Sequence, residues 1–256
     1  MPKVKQDTEE ILSYARSMGA TLAGVADLEL LKGMPLYGGL SFDRFRYAIS
    51  MAIALPSEAI EMITDDDPGT LYAHAYRASN FLLDSIAMKV AAELTRRGCR
   101  SLVIPASMRV DRAEHAGHAS HKAFAWAAGM GWIGRNAMLT NPQFGSKLRF
   151  ATVLTDMPLS PGKPVTNGCG VCRLCVVTCP AKAFKYVPFE VRPSSREAIF
   201  DSEKCYQHLL KSKDVLAKKH HMVDHATAIC GVCIKVCPIG KGNPRNRSPK
   251  GWGDGS

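Results

Sequence analysis

Cysteine spacing is the feature that most constrains this chain of 256 residues. Eight of its nine cysteines fall in two runs, each with a Cys-x-x-Cys element and a Cys-Pro ending. The first run comprises Cys169, Cys172, Cys175 and Cys179, and the second comprises Cys205, Cys230, Cys233 and Cys237. We therefore expect the second half of the chain to be organised around its cysteines.

The spacing of the first run is that of bacterial ferredoxins. There, three close thiolates bind one 4Fe-4S cluster, and the cysteine before proline binds the other cluster. We therefore predict two 4Fe-4S clusters, each of which takes at least one of its cysteine ligands from the other run. The first is assigned to Cys169, Cys172, Cys175 and Cys237, and the second to Cys179, Cys205, Cys230 and Cys233. Cys205 is assigned only because the second cluster needs a fourth ligand and because this cysteine lies between the other cysteines of the two runs.

Two other uses of these cysteines are weighed against clusters. Structural zinc takes four ligands in two pairs, whereas each run here adds a further cysteine and ends in Cys-Pro. Disulfides need an oxidising compartment, and residues 1–20 lack the features of a secretory signal. Iron–sulfur clusters are therefore preferred. The ninth cysteine, Cys99, is expected to be a small buried hydrophobe.

Composition and charge narrow the class of protein. Hydrophobic residues make up 46% of the chain, and no apolar run approaches the roughly 20 residues that cross a bilayer. We therefore expect a cytoplasmic protein with no membrane partner. The net charge of +10 would speed encounter with an acidic electron donor, an anionic cofactor or a nucleic acid, and charge alone does not choose among them.

Hydrophobic periodicity predicts an α/β domain in residues 1–160, in which helices cover a sheet. The predicted helices span 8–18, 71–97 and 118–129, and the predicted strands span 21–26, 47–55, 102–104 and 148–155. A loop rich in Pro and Gly then leads into Cys169. Residues 161–240 are predicted to form an α+β, ferredoxin-like domain with two clusters, in which a helix over 202–216 carries Cys205. Residues 241–256 are predicted to be a basic, flexible tail.

Motifs upstream of the cysteines add a resemblance to a known family. Val110-Asp111 is followed by the stretch Ala-Gly-Met-Gly-Trp-Ile-Gly-Arg-Asn at 128–136, by Phe-Gly-Ser at 144–146 and by Leu-Thr-Asp at 154–156. Together with the double cysteine pattern, this order resembles epoxyqueuosine reductase, a cobalamin-dependent family of tRNA queuosine synthesis related to the reductive dehalogenases. The similarity covers roughly residues 100–240.

The resemblance implies a cobalamin between the α/β domain and the clusters. It implies that Asp111 is the catalytic proton donor and that a loop with Gly131, Trp132, Gly134 and Asn136 faces the cofactor. Plainer interpretations stay open, because Asp111 can simply cap a turn and the glycines can simply allow close backbone packing. A flavin in the same cavity is a further alternative.

The chain also departs from the family pattern. The family follows its last Cys-Pro with Trp and Asn, where this chain has Ile239-Gly240, and it continues into a helical-repeat region that binds tRNA. We therefore expect a relative with another substrate and regard tRNA recognition as doubtful. The segment after Asp111 also holds His115, His118 and His121. They are expected to face a cofactor or substrate, or simply to form a polar helix start, and a metal site is the lesser interpretation.

Three functional hypotheses follow. The first is a reductase that takes electrons from a donor such as ferredoxin or flavodoxin and passes them through the clusters to cobalamin, which reduces a small-molecule or tRNA-borne substrate. The second is an electron-transfer protein that serves a partner enzyme without cobalamin. The third is a nucleic-acid-binding protein whose clusters are structural or sensing elements and whose contact is the basic tail.

Overall fold

A computed structural model describes residues 3–241 of the chain. Its helices are α1 (Lys3–Ser17), α2 (Ser57–Glu61), α3 (Thr70–Arg96), α4 (His121–Ala127), α5 (Leu174–Val177), α6 (Arg196–Ile199), α7 (Ser202–Lys218) and α8 (Val232–Lys235), with short 3-10 helices at Leu28–Leu31 and Val223–His225. Its strands are β1 (Leu22–Asp27), β2 (Tyr47–Ala54), β3 (Ser101–Ile104), β4 (Trp132–Ile133), β5 (Leu139–Thr140) and β6 (Leu148–Thr155).

The main sheet has four strands in the order β1-β2-β6-β3, and every neighbouring pair is antiparallel. One row across it runs Val25, Ile49, Val153 and Val103. The predicted sheet covered by helices is therefore present, and its strands are antiparallel, a direction that the sequence analysis left open. Buried strands read as apolar runs whether their neighbours are parallel or antiparallel, so the pattern could not separate the two.

Helices cover both faces of this sheet because successive strand side chains point to opposite sides. Ile49 and Met51 of β2 face a core built with α1 and α3. Ala48 and Ala52 face the other core, which is built around Phe124 of α4. Phe124 is fully buried, so α4 is fixed against the sheet just before the chain reaches β4.

The predicted helices and strands of the first half are present with small boundary shifts. Strand β6 coincides with its predicted range, and α3 ends as expected before Gly98, whose φ of 78° only glycine adopts easily. Helix α1 starts five residues earlier than predicted, at Lys3 instead of residue 8. Helix α4 is shorter than predicted at both ends.

A third core joins the start of α3 to the cysteine region. Ile63 and Tyr72 pack there with Leu216 of α7 and with Val232 of α8. Asp67 lies at the same junction and accepts hydrogen bonds from Lys219 and His220, which follow α7. The second half of the chain is therefore packed against the sheet unit, and the boundary at residue 160 stays a prediction.

Two expectations concern the ends and the membrane. Residues 242–256, which make up nearly all of the predicted basic tail, lie outside the described part of the chain. Within residues 3–241, none of the helices combines the length and apolar character needed to span a bilayer.

Candidate redox centre

Short helices and turns present the eight cysteines of the two runs. Cys175 lies in α5, Cys205 in the first turns of α7 and Cys233 in α8. Gly170 and Gly231, with φ of 53° and 88°, turn the backbone beside Cys169 and Cys230. The eight thiols are all free and half-buried.

The thiols form two neighbourhoods that can be recognised from their mutual electrostatic influence. Burial, followed by the charges of Cys169, Cys237 and Cys172, raises the pKa of Cys175 to about 12. Burial, followed by the charges of Cys179 and Cys230, raises the pKa of Cys205 to about 12.

Cys233 belongs with the second neighbourhood. Its pKa is raised by burial and then by the charges of Cys230 and Cys205, ahead of smaller effects from Cys175 and Cys179. The two neighbourhoods thus have the same members as the two ligand sets predicted from the sequence. Ligation itself stays a prediction.

This donor set fits iron–sulfur clusters. Thiols held close together resist ionisation, and iron cations would relieve the repulsion between their thiolates. Nitrogen donors also point at two of the sulfurs: Trp132 Nε1 lies 3.4 Å from Cys169 Sγ, and Ala183 N lies 3.5 Å from Cys179 Sγ. Hydrogen bonds of this kind tune the reduction potential of a cluster.

The two neighbourhoods differ in exposure. Around the first run, Val171 is 89% exposed and Val177 is 72% exposed. Around the second, Val232 is 2% exposed and Ile234 is 7% exposed. The first set of thiols therefore lies near the surface, and the second lies against the core that includes the start of α3.

The predicted cofactor loop forms the β4-β5 hairpin, and its contacts are with the protein itself. A Cβ at Gly131 would lie 2.3 Å from Thr140 O, so the close packing of the hairpin requires glycine there. A Cβ at Gly134 would lie 2.5 Å from the Thr140 side chain. The Asn136 side chain donates to Ser146 Oγ at 3.0 Å and to the Cys233 carbonyl at 3.3 Å. These residues therefore hold the hairpin against the cysteine region, and a role toward a cofactor stays a prediction.

Asp111 lies in the loop between β3 and α4. Its carboxylate accepts a hydrogen bond from the Glu114 backbone N–H at 2.8 Å, and its backbone forms a bridge with Ala116. The side chain is thus half-buried and closes a turn, which is the plainer interpretation of the residue. Its catalytic role stays a prediction.

The three histidines after Asp111 do not converge on one point. His115 contacts Glu203 at 2.7 Å and stacks on Tyr206, both on α7. The His118 ring lies beside Gly38. Both ring nitrogens of His121 are within hydrogen-bond distance of protein atoms, and burial lowers its pKa to about 4. Among the residues described, no three His, Cys, Asp or Glu side chains are arranged to hold a single metal ion.

A group of half-buried cationic side chains beside the second set of thiols, called the cationic pocket below, was missed from the sequence. The Arg149 guanidinium lies over the Tyr76 ring, 4.1 Å from its centroid, and donates to Asn80 Oδ1 at 3.0 Å. The Lys122 ammonium donates to the Ala137 carbonyl at 2.8 Å. Burial, together with the charges of Arg196 and Arg149, lowers its pKa to about 8. A lone arginine inside an otherwise apolar strand was the available signal.

The same pocket alters the acidity of a phenol. Burial alone would raise the pKa of Tyr76, but the Arg149 guanidinium and hydrogen bonds that involve Ser107 and Asn80 bring it below its usual value. The Tyr76 hydroxyl lies 3.3 Å from Ser107 Oγ, in the loop that also carries Asp111. A phenol that ionises more readily is a better proton donor.

Comparisons with known proteins agree with the cluster prediction made from the cysteine spacing. Residues 168–240 match the family described as a 4Fe-4S double cluster binding domain. This region of the chain is therefore a domain for two 4Fe-4S clusters, and the zinc interpretation is set aside.

The resemblance stated from the sequence is confirmed. The chain is 30% identical to an epoxyqueuosine reductase of Bacillus cereus over 135 residues, which are 52% of this chain and 33% of the relative. It is 35% identical to a tetrachloroethene reductive dehalogenase of Sulfurospirillum multivorans over 132 residues, which are 47% of this chain and 24% of the relative. The chain thus spans about a third or less of these relatives.

The fold is also shared with a solved structure. A catabolic reductive dehalogenase in complex with 3-bromo-4-hydroxybenzoic acid superposes with a TM-score of 0.70 at 22% identity, over 94% of this chain and 33% of the other. At this identity the likeness shows the fold alone. The sheet unit and the cluster region thus occur together in that fold.

Proposed function

We propose that this protein is an iron–sulfur reductase that passes electrons through two 4Fe-4S clusters to a bound cobalamin, which reduces a small-molecule or tRNA-borne substrate. The observation that carries the proposal is that the second set of thiols, of which Cys230 and Cys233 pack against the core at the start of α3, lies beside a phenol and two cations. A redox wire and a site able to bind and protonate a substrate are therefore adjacent. A ferredoxin or flavodoxin as donor and a cytoplasmic location are parts of the same proposal.

The residues of this pocket fit the polar rim of a corrinoid. A corrinoid carries amide and phosphate groups, which the Lys122 ammonium and the Arg149 guanidinium can bind. Lys122 has a single carbonyl partner in the described residues, so its other N–H groups can donate to a ligand. When bound, the corrinoid supplies a metal centre that accepts single electrons from the second cluster and delivers them to the substrate. His121 is not a suitable cobalt ligand, because both of its ring nitrogens are engaged.

Reduction that expels an oxygen or halogen substituent needs a proton donor in many cases, and the chain offers two. Asp111 is the donor implied by the family resemblance, and its carboxylate is anchored by the Glu114 N–H. Tyr76 is the donor favoured by the pocket, because Arg149 stabilises the phenolate that remains after proton transfer. Both residues belong to the region formed by α3 and the 105–120 loop, so substitutions are needed to tell which of them donates the proton.

The test begins with anaerobic protein whose iron is counted and to which cobalamin and reductant are added. We expect about eight irons per chain and a spectral change that saturates at one corrinoid per chain. If the protein contains iron but binds no corrinoid, the result supports the electron-transfer hypothesis instead. If it contains zinc and no iron, the proposal is refuted.

Variants then separate the two proton donors. Asp111→Asn and Tyr76→Phe should both keep the clusters and the corrinoid, and the variant of the true donor should lose at least about 100-fold in turnover. Tyr14→Phe is the matched control, because Tyr14 packs against the far core of the sheet. Equal activity in all three variants would refute both assignments.

A further inference from the structure

The segment that carries the first cysteine run is free of acidic residues. Between Asp156 and Glu190 the sequence has no Asp or Glu, but it has Lys163, Arg173, Lys182 and Lys185. All four basic side chains belong to exposed residues. Within residues 3–241 none of them forms an ion pair. None of these four charges is therefore paired with a carboxylate, although Lys185 Nζ donates to the Glu197 carbonyl and Arg173 lies over the Tyr186 ring.

Exposed apolar side chains lie between these cations. Val171 is 89% exposed, Leu174 is 47% exposed and Val177 is 72% exposed, and the three alternate with the cysteines of the first run. We call Val171, Arg173, Leu174, Val177 and Lys182 the first-cluster face. An apolar centre with a charged rim is the composition of a protein interface, and scattered solvated lysines would not need the apolar centre.

The first-cluster face also lies on the route by which electrons would arrive. In the second set of thiols, Cys230 and Cys233 are packed against the core at the start of α3, so a partner protein cannot approach that set as closely. Electron transfer between proteins requires close approach of the two redox centres. The exposed set of thiols is thus the one that a donor can reach.

We infer that the first-cluster face docks an acidic one-electron carrier protein, and this inference rests on the proposed function. The occupant is chosen by charge complementarity, because the face is cationic and has no carboxylate. A second copy of this chain would present the same positive charge and be repelled. A nucleic acid is disfavoured because the exposed ring of Tyr186 already contacts the guanidinium groups of Arg135 and Arg173, which compete with a base for its faces.

The test is anaerobic stopped-flow reduction of the cluster-loaded full chain by flavodoxin hydroquinone, with dithionite as a small reductant that needs no docking. The test variant is Arg173→Glu with Lys182→Glu. The matched control is Lys5→Glu with Lys89→Glu, which makes the same charge change at exposed positions of α1 and α3. A third variant, Val177→Ser, probes the apolar centre without changing charge.

The expected result is a fall of at least about tenfold in the second-order rate with flavodoxin for the test variant at low ionic strength, together with a weaker salt dependence. Val177→Ser should slow the reaction by a smaller factor, and the control should remain near the wild-type rate. Iron content and the dithionite rate should be equal in all four proteins.

Other outcomes overturn the inference. An unchanged flavodoxin rate in the test variant, or an equal loss in the control, means that the first-cluster face is not the docking site. A test variant that loses binding to an RNA stem–loop while it keeps its flavodoxin rate means that the face binds nucleic acid. If dithionite reduces no cluster in the wild-type protein, it is the proposed function that fails.

Discussion

Asp67 is a buried carboxylate that joins the start of α3 to the end of α7, and its replacement by Asn tests how strongly this junction stabilises the fold. The carboxylate accepts hydrogen bonds from Lys219 Nζ, His220 Nε2 and the Gly69 backbone N–H, each at 2.8 Å. Burial by itself would raise the pKa of this carboxyl group. The hydrogen bonds outweigh burial and lower its pKa to about 2.

The size of the effect follows from this pKa. A shift from 3.8 to about 2 is close to two pH units, and each unit corresponds to about 1.4 kcal/mol, so the charged state contributes about 2 kcal/mol to the free energy of unfolding. Because the pKa is lowered in the folded state, the contribution is complete above about pH 5 and is lost as the pH falls through about 2. A measurement at pH 7 therefore samples the whole effect. Asp67→Asn keeps the shape and one acceptor oxygen but removes the charge.

The assay is anaerobic urea unfolding at pH 7, followed by far-ultraviolet circular dichroism. We expect the Asp67→Asn midpoint to fall by the equivalent of about 2 kcal/mol with an unchanged slope. The matched control, Asp65→Asn, replaces an exposed neighbour and should change stability by less than about 0.5 kcal/mol. In a Lys219→Met background the Asp67→Asn substitution should cost less, because one partner is already absent. If both Asn variants behave alike, the buried carboxylate is not the stabilising group.

Two further substitutions test the packing and the pocket. Gly145→Ala should lower the iron content and destabilise the fold by more than about 2 kcal/mol, because the new Cβ would lie 2.2 Å from Ile239 O, next to the second Cys-Pro. The control is Gly170→Ala, because Gly170 has a similar φ but a Cβ there would have no atom within 4 Å. This control should cost about 1 kcal/mol. Equal losses in iron and stability would contradict this. Arg149→Met should raise the pKa of Tyr76, measured by ultraviolet difference titration against the matching Tyr76→Phe proteins, and an unchanged pKa would remove Arg149 as the cause.

The cysteine chemistry could be predicted from the sequence because it depends on local spacing. Three thiols that are each separated by two intervening residues can bind one cluster independently of the fold of the rest of the chain. The match over residues 168–240 agrees with this prediction. The long amphipathic helix α3 and the buried strand β6 were predictable for the same reason. Each is specified by a run of neighbouring residues.

The antiparallel order of the sheet could not be predicted in this way. The strand β6 lies between β2 and β3, although more than 40 residues separate it from β3 along the chain. Alternating helices and strands do not specify strand direction, and the buried apolar runs of β2 and β6 fit either direction. Strand direction depends on contacts between segments that are distant in the sequence, and local sequence patterns do not specify those contacts.

The cationic pocket shows how the two kinds of information combine. Lys122 and Arg149 come from a helix and a strand that read locally as core, and within residues 3–241 neither forms an ion pair with a carboxylate. A buried cation without a counter-charge is costly. The charges of Cys233 and Cys205 raise the pKa of Lys122 and so offset part of that cost. Thiolates at Cys205 and Cys233 would therefore stabilise the charge of Lys122, which favours a half-buried cationic site at this place in the fold.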